Sequence, residues 1–488
     1  MNGQLDTRIK LALADENLHR AVQIATDRLR IKKADALTKI DFEQWRERGR
    51  EIRAHVVAHL DYYLAELADQ VQRRGGQVHF CIDETDAVEA IREIVQSHHA
   101  TKVIKSKSMV TEELHLNHAL EQDGVEVVET DLGEYIIQLA GETPSHIIAP
   151  AIHKTREQIA DLFSQVASQR IASDTPSLND YAHQVLRKKF LDAEIGITGC
   201  NFAIAETGTI CIFTNEGNGR MVTTLPPVHI AVMGMERVLP TLADLEVFMN
   251  LLPRSATGQQ LTSYMSLVTG PREEGEQDGA HEFHLVILDN KRSHSLGDPD
   301  FQEVLQCIRC GACLNVCPVY RQIGGHAYGS VYSGPIGAVL TPLLRDDPEA
   351  ADLPYASTLC AACYEACPVK IPLHDMLVKL RARNVARFHT PPSERLAFKG
   401  YCKIFKRAQN YRLAVRSLQT VQKWFMTNGE FRSSLPGLSG WTKTRSLQGM
   451  NSMTFRERFT QGLVIDQIST QMMESSQKGS NNDTENGD

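Results

Sequence analysis

No run of about eighteen consecutive apolar residues occurs in this 488-residue chain, so no transmembrane helix is predicted. The opening stretch, MNGQLDTRIKLALADENLHRA, is charged and carries no apolar core of the kind a secretory leader needs. A cytoplasmic protein is therefore expected, touching a membrane only through partners. Charge of one sign is not in large excess. The net charge of −8 gives no nucleic-acid signature, so no nucleic-acid partner is expected. Eleven cysteines are too few for a disulfide scaffold at this length, and a reducing cytoplasm keeps thiols free. Neither a Rossmann glycine fingerprint nor a P-loop is present. With no NAD or FAD fingerprint, hydride chemistry must be handled elsewhere or reach a flavin or quinone through partners.

What is there is ordinary in bulk and unusual in one place. With 42% apolar and 23% charged residues, the chain has the composition of a soluble protein of two or three domains. Residues 1–75 read as helical: LDTRIKLALADENLHRAVQIATDRLRIKKADAL and DFEQWRERGREIRAHVVAHLDYYLAELADQVQRRGG repeat apolar residues at three- and four-residue spacing. They predict two long helices, the second stopping at Gly75 and Gly76. From residue 76 to 291 strands alternate with helices. VHFCID, KVIKSKSM and VEVVETDL read as strands; ETDAVEAIREIVQSHHA, with Thr85 as its N-cap, and VTEELHLNHALEQDG read as helices. Such alternation predicts an α/β domain with parallel pairing. Further on, NFAIA and TICIF flank a turn-like ETG and predict a hairpin. HIAVMGM and EFHLVILDN read as buried strands. Residues 386–470 form a basic helical region, whose positive face is either solvated or docks an acidic partner or anionic surface. The polar tail, 471–488, is expected to be disordered.

The unusual place is 292–385. CIRCGACLNVCP spaces Cys307, Cys310, Cys313 and Cys317 as C-x2-C-x2-C-x3-C, followed by Pro318. This is the bacterial ferredoxin spacing for a [4Fe–4S] cluster: a tight turn lets the first three sulfurs converge on one cubane, and the fourth ligates a second cluster. Zinc sites more often pair two C-x2-C knuckles. A shortened echo, CAACYEACP, carries Cys360, Cys363 and Cys367. Crossing the last cysteines gives cluster 1 to Cys307, Cys310, Cys313 and Cys367, and cluster 2 to Cys317, Cys360 and Cys363. Cluster 2 is then one thiolate short. It is either a [3Fe–4S] cluster, or a [4Fe–4S] cluster completed by a non-cysteine ligand, a distant cysteine or a partner, or a cluster with an open iron. Cys402, among lysines in KGYCKIF, is the unassigned downstream cysteine; nearby positive charge favours its thiolate. Cys81 and Cys211 sit in apolar strand-like segments and read as buried hydrophobes.

A second candidate lies in AETGTICIFTNEGNGR. Glu206, Thr207 and Thr209 sit at one turn, and Asn215, Glu216, Asn218 and Arg220 at the next. Amide- and glycine-rich turns can present N–H groups to an anion, and Arg220 could pair bidentately with a carboxylate; both can equally be plain hairpin turns. His115 and His118 fall three apart on a predicted helix, a possible metal pair without a third ligand.

Four stretches together resemble the lactate-utilisation iron–sulfur protein B family over nearly the whole chain. They are CIRCGACLNVCPVYRQIGGHAYGSVYSGPIGAVLTPLL, STLCAACYEACPVKIPLHDMLVKLR, NFAIAETGTICIFTNEGNGRMVTTLPPVHIAVMGMERVLPTLADL and LPGLSGWTKTR. The resemblance implies a LUD domain, similar in fold to sugar-phosphate isomerases and CoA transferases, followed by a ferredoxin-like two-cluster domain. It implies the same crossed ligand set. It also implies two sister proteins, one cysteine-rich and one a second LUD protein, acting together in oxidising L-lactate to pyruvate. The competing expectation is that the LUD domain is itself an enzyme for an acyl or phosphorylated small molecule, with structural or regulatory clusters. A third is an assembly platform.

Overall fold

The computed structural model describes residues 3–345, 347–387, 391–427, 429–431 and 445–462. The chain divides into two compact units, 1–389 and 390–488.

The first unit opens with four helices: α1 (Gly3–Ala14), α2 (Glu16–Leu37), α3 (Phe42–Ala58) and α4 (Leu60–Arg73). The two long helices expected from periodicity are each broken once. Asp15 adopts an extended conformation and its carboxylate accepts the Leu18 N–H at 2.9 Å, which starts α2 afresh. His59 leaves the helical region at φ −130°, separating α3 from α4.

The α/β region runs β1 (Gln77–Cys81), α5 (Glu84–Ser97), β2 (Lys102–Lys105), α6 (Met109–Glu113), α7 (Leu116–Gln122), β3 (Glu126–Glu129), α8 (Leu132–Ala140), α9 (Arg156–Ala167), α10 (Thr175–Asp192) and β4 (Ile195–Gly199). It continues through β5 (Phe202–Ile204), β6 (Thr209–Thr214), α11 (Asn218–Thr224), β7 (Val228–Gly234), β8 (Val238–Leu239), α12 (Leu242–Ala256), β9 (Tyr264–Val268), β10 (Glu282–Leu288) and α13 (Arg292–Leu296). Six strands form a sheet in the order β1-β10-β7-β4-β2-β3, every pair parallel. The other four form a mixed sheet, β8-β5-β6-β9, with β5 and β6 as the expected antiparallel hairpin. Periodicity assigns no strand to Ile195–Gly199 or Tyr264–Val268.

The parallel sheet is covered on both faces, and its side chains alternate between two cores. Val103, Val127, Ile230, Val232 and Val286 pack under α5 and α7, while Ile104 and Val128 face α9 and α10 through Phe163 and Phe190. Two local expectations change. Asp83, not Thr85, caps α5, its carboxylate accepting the Asp86 N–H at 3.1 Å. The helix expected over 110–124 breaks at His115, which is left-handed with φ 48°. His115 and His118 therefore share no helical face, and His118 bonds Gln122 instead.

The cysteine region is helical: α14 (Ala312–Val316), α15 (Tyr320–Ile323), α16 (Gly334–Leu344), α17 (Ala362–Ala366) and α18 (Leu373–Ala386). It shares one large core with the N-terminal helices and the β5–β6 hairpin, from Leu5 through Phe248 to Leu377. Buried Arg53 on α3 ties the N-terminal helices to the start of β8 and to the segment just before Cys307. It donates to the carbonyls of Val238 at 2.8 Å, of Leu305 at 2.9 Å and of Glu236.

In the second unit, α19 (Pro392–Phe405) and α20 (Ala408–Val421) bury none of their residues within the chain. The tail 471–488 and nearly all of 435–445 lie outside the described residues.

Candidate metal centre

The two cysteine runs fold as two tight turns, each followed by a short helix. After Cys307 the chain passes through Arg309 and Gly311, both left-handed, into α14 and ends at Cys317. A glycine suits φ 71° at position 311, where a Cβ would also stand 3.1 Å from the His146 ring. The second run passes through Leu359 and Ala361, also left-handed, into α17 and ends at Cys367. Backbone N–H groups converge on the sulfurs. Arg309 donates to Cys307 at 3.4 Å, Tyr320 to Cys317 at 3.5 Å and Ile371 to Cys367 at 3.4 Å. Such bonds favour thiolate over thiol and tune a bound cluster.

Cys307, Cys310, Cys313 and Cys367 line one small cavity, with Ile147, Ile308, Arg309, Ile336 and Leu373 among its other walls. Residues sixty apart in the chain thus present four soft donors to one apolar space. That fits a thiolate-ligated cubane. Burial pushes the Cys310 thiol up to about 12 and Cys313 and Cys367 upward as well, so these protons leave when a cation takes their place. Cys317, Cys360 and Cys363 form the second group. Burial first, then Cys317 and Cys360, push Cys363 up to about 12. Cys360 is exposed, and its pKa is lowered by the Thr358 hydroxyl and the Ala362 N–H.

The N-terminal helices complete the first group's surroundings. Lys33 on α2 donates to the Ala366 carbonyl at 2.6 Å, and Arg46 on α3 donates to those of Cys367 at 2.9 Å and Tyr364 at 3.0 Å. Burial lowers the Lys33 pKa against the pull of Cys310 and Cys367. Nothing in the sequence near residues 33 or 46 signals this role.

A larger cavity of about 410 Å³ opens at the carboxyl ends of β2, β3 and β4, the usual place for a ligand in an open parallel sheet. Ser106–Ser108, Asp131 and Gly199–Asn201 line it, with Asn215, Glu216 and Asn218 from the hairpin side. Glu216 is exposed as a residue, yet desolvation of its carboxyl and the Asp131 charge push its pKa up to about 7. It accepts the Leu132 N–H at 3.1 Å. Lys107, Arg237 and Arg309 bring positive charge to the same wall. Arg309 Nη2 pairs with Glu236 at 3.2 Å, while Nη1 and Lys107 Nζ have no hydrogen-bond partner among the described residues. Lys107 does lie 3.4 Å from the Glu134 carboxylate. Ile147 and Arg309 line this cavity and the cysteine cavity alike, so the two share a wall.

The other sequence candidates lie elsewhere. Glu206 accepts the Leu242 N–H, Thr207 donates to Thr209, and Thr209 bonds Thr269. Their turn sits against α4, where a Cβ on Gly208 would stand 2.8 Å from the Gln70 backbone. Arg220 is exposed on α11 and lines neither cavity; residues 218–224 form that helix where the pattern suggested a turn. Cys402 is exposed on α19 in the other unit.

Behind the shared wall lies a buried ionic network. Arg292, wholly buried, grips Glu113 at 2.8 and 3.0 Å and Glu236 at 2.9 Å; Tyr332 donates to Glu113 at 2.7 Å. Burial notwithstanding, the three neighbouring arginines hold Glu236 down at about 2.

Comparison with known proteins follows this division. Residues 64–288 match the LUD domain and residues 303–371 match the 4Fe-4S dicluster domain. Lactate utilization protein B of Bacillus licheniformis is 50% identical over 455 residues, which cover 93% of this chain and 95% of that protein. Those of Bacillus subtilis and Anoxybacillus flavithermus are each 50% identical over 93% of this chain, and over 95% and 97% of their own. The chain belongs to the lactate utilization protein B family. As a lactate utilization protein B family member it combines a LUD domain with a 4Fe–4S dicluster domain in a mixed α/β and helical structure. No helix among the described residues is long and apolar enough to cross a membrane.

Proposed function

We propose that this chain is the iron–sulfur electron-transfer subunit of a three-component system that oxidises L-lactate to pyruvate, working in the cytoplasm with a cysteine-rich sister and a second LUD protein. Cys307, Cys310, Cys313 and Cys367 hold cluster 1 as a [4Fe–4S] cluster, and Cys317, Cys360 and Cys363 hold cluster 2. When bound, the clusters supply one-electron carriers for a reaction that releases two electrons and two protons. The region 76–291 serves as the substrate side and 292–385 as the redox side, with 1–75 clamping the two and 386–470 left for docking.

The observation that carries this reading is the wall shared between the sheet cavity and the cluster 1 cavity, formed by Ile147 and Arg309. A ligand in the sheet cavity would lie against the same wall that the thiolate cage uses, and a flavin or quinone held by a partner would take the hydride before single electrons reached the clusters. Arg237 and Arg309 take the carboxylate-binding role expected of Arg220, because they reach the cavity and it does not. Asn215 and Glu216 remain candidates to orient the ligand. Exposed Cys360 would place a bound cluster 2 near the surface, within reach of a partner.

The test is lactate-driven bleaching of the visible cluster absorbance in the anaerobically assembled three-protein system. Arg309→Gln should keep the iron content and slow bleaching by about tenfold, the loss of one charge-assisted contact of roughly 1.4 kcal/mol. Bleaching at the native rate would sink the assignment of substrate to this cavity. Turnover of an acyl or phosphoryl ester by cluster-free chain would favour the LUD domain as an enzyme of its own.

A further inference from the structure

The two cysteine runs are one backbone written twice. With Cys367 set on Cys317, Cys363 falls on Cys313, Cys360 on Cys310, and Ser357 on Cys307. The conformations agree position by position. Arg309 and Leu359 have φ of 58° and 55°, and Gly311 and Ala361 have φ of 71° and 62°. Each turn enters a five-residue helix, and each helix ends at a cysteine of nearly identical dihedrals, φ −75° and ψ 118° for Cys317, φ −73° and ψ 124° for Cys367.

The hydrogen bonding agrees as well. In the first run the Arg309 N–H donates to Cys307 Sγ at 3.4 Å; in the second the Leu359 N–H donates to Ser357 Oγ at 3.1 Å. The serine oxygen takes the place of the cysteine sulfur, under the same donor and on the same turn. A serine hydroxyl bonding two residues ahead is common in loops. Here the hydroxyl holds the position in its turn that Cys307 holds in the first, three residues before Cys360 as Cys307 is before Cys310. The second turn also keeps its left-handed conformation at Leu359 and Ala361 without a glycine, at a cost of roughly 1–2 kcal/mol each. Both ligand positions are about equally accessible, Cys307 and Ser357 being half-buried.

We propose that Ser357 Oγ is the fourth protein ligand of cluster 2, making it a [4Fe–4S] cluster with three thiolates and one alkoxide. The Fe–O bond forms as the hydroxyl proton passes to solvent, with no change in oxidation state. The proposal rests on the crossed assignment above. Oxygen is a harder donor than thiolate, so Ser357 sets the cluster 2 potential below that of the same cluster with four thiolates and leaves its fourth iron more easily lost.

The experiment compares anaerobically purified wild type, Ser357→Ala, Ser357→Cys and Cys402→Ser by iron content, EPR and Mössbauer spectroscopy. Wild type should hold two four-iron clusters. Ser357→Ala should lose one iron per chain on mild oxidation and show the isotropic EPR signal of a three-iron cluster, with the cluster 1 spectrum unchanged. Ser357→Cys should keep full iron and raise the cluster 2 potential. Cys402→Ser should match wild type. A wild-type cluster 2 already in the three-iron form, a Ser357→Ala cluster 2 indistinguishable from wild type, or a cluster 2 altered by Cys402→Ser would each overturn the proposal while leaving the crossed assignment standing. Iron-free wild type would overturn both.

Discussion

Lys33 reaches the cysteine cage through the Ala366 carbonyl, 333 residues further along the chain, and its charge should be felt there. Adding an electron to a cluster is easier beside a desolvated cation. Lys33→Met should therefore move the cluster 1 potential in the negative direction by roughly 30–60 mV, about a threefold to tenfold change in the one-electron equilibrium. An EPR-monitored redox titration checks this. An unmoved potential would leave Lys33 as a clip on the Ala366 carbonyl and nothing more. His229 makes a different argument at the same scale. It is buried on β7, bonded to Thr198 Oγ1 at 2.8 Å, with its ring 5.3 Å from that of Phe283; burial, then the His284 charge, lower its pKa to about 3. The unfolded chain takes up a proton near its ordinary pKa of about 6.5, and the folded chain does not, so stability is full above that pH and lost as pH falls. His229→Gln should flatten the urea-midpoint profile between about pH 6 and about pH 4 by roughly 1.4 kcal/mol per pH unit. His284, itself lowered to about 4, supplies a residual slope. A steeper profile in the variant would contradict this.

At the scale of elements, the loop from Ser145 to Pro150 fastens the parallel sheet to the cysteine region. The Ser145 carbonyl accepts the Tyr320 hydroxyl at 2.9 Å, and Gly325 approaches so closely that a Cβ there would stand 1.8 Å from that oxygen. Gly325→Ala must push the loop aside. It should cost about 1–3 kcal/mol of stability by urea midpoint, and should speed bleaching in air because Ile147 on the same loop walls the cluster cavity. A variant with native stability and native bleaching would show that the loop has room to give. The elements themselves were partly legible. Strand–helix alternation over 77–129 and the β5–β6 hairpin follow from period and turn residues, which are local signals. The breaks at Asp15, His59 and His115 were not, because each is one residue whose backbone or cap departs from a periodicity that continues on both sides.

For the molecule as a whole, three stretches that read as separate regions share one core. Arg53, Arg46 and Lys33 look like surface cations of amphipathic helices in the linear pattern, and they are the contacts that join those regions. The same long reach explains the candidate site. Of the residues suggested in AETGTICIFTNEGNGR, Asn215, Glu216 and Asn218 line the cavity while Glu206, Thr207, Thr209 and Arg220 do not. A turn-rich motif shows which residues can serve, and only the packing of α4 and α11 decides which way each turn faces.

The sequence by itself determined the cysteine chemistry. Ligand spacing within a single turn is a short-range property, and seven sulfurs at those intervals leave few other uses. Tertiary structure alone decided that Lys33 and Arg46 lie against the cysteine turns, and that Ile147 and Arg309 form the wall between the sheet cavity and the cysteine cavity. Both depend on segments far apart in the chain being brought into register, and no local pattern of residues encodes that distance.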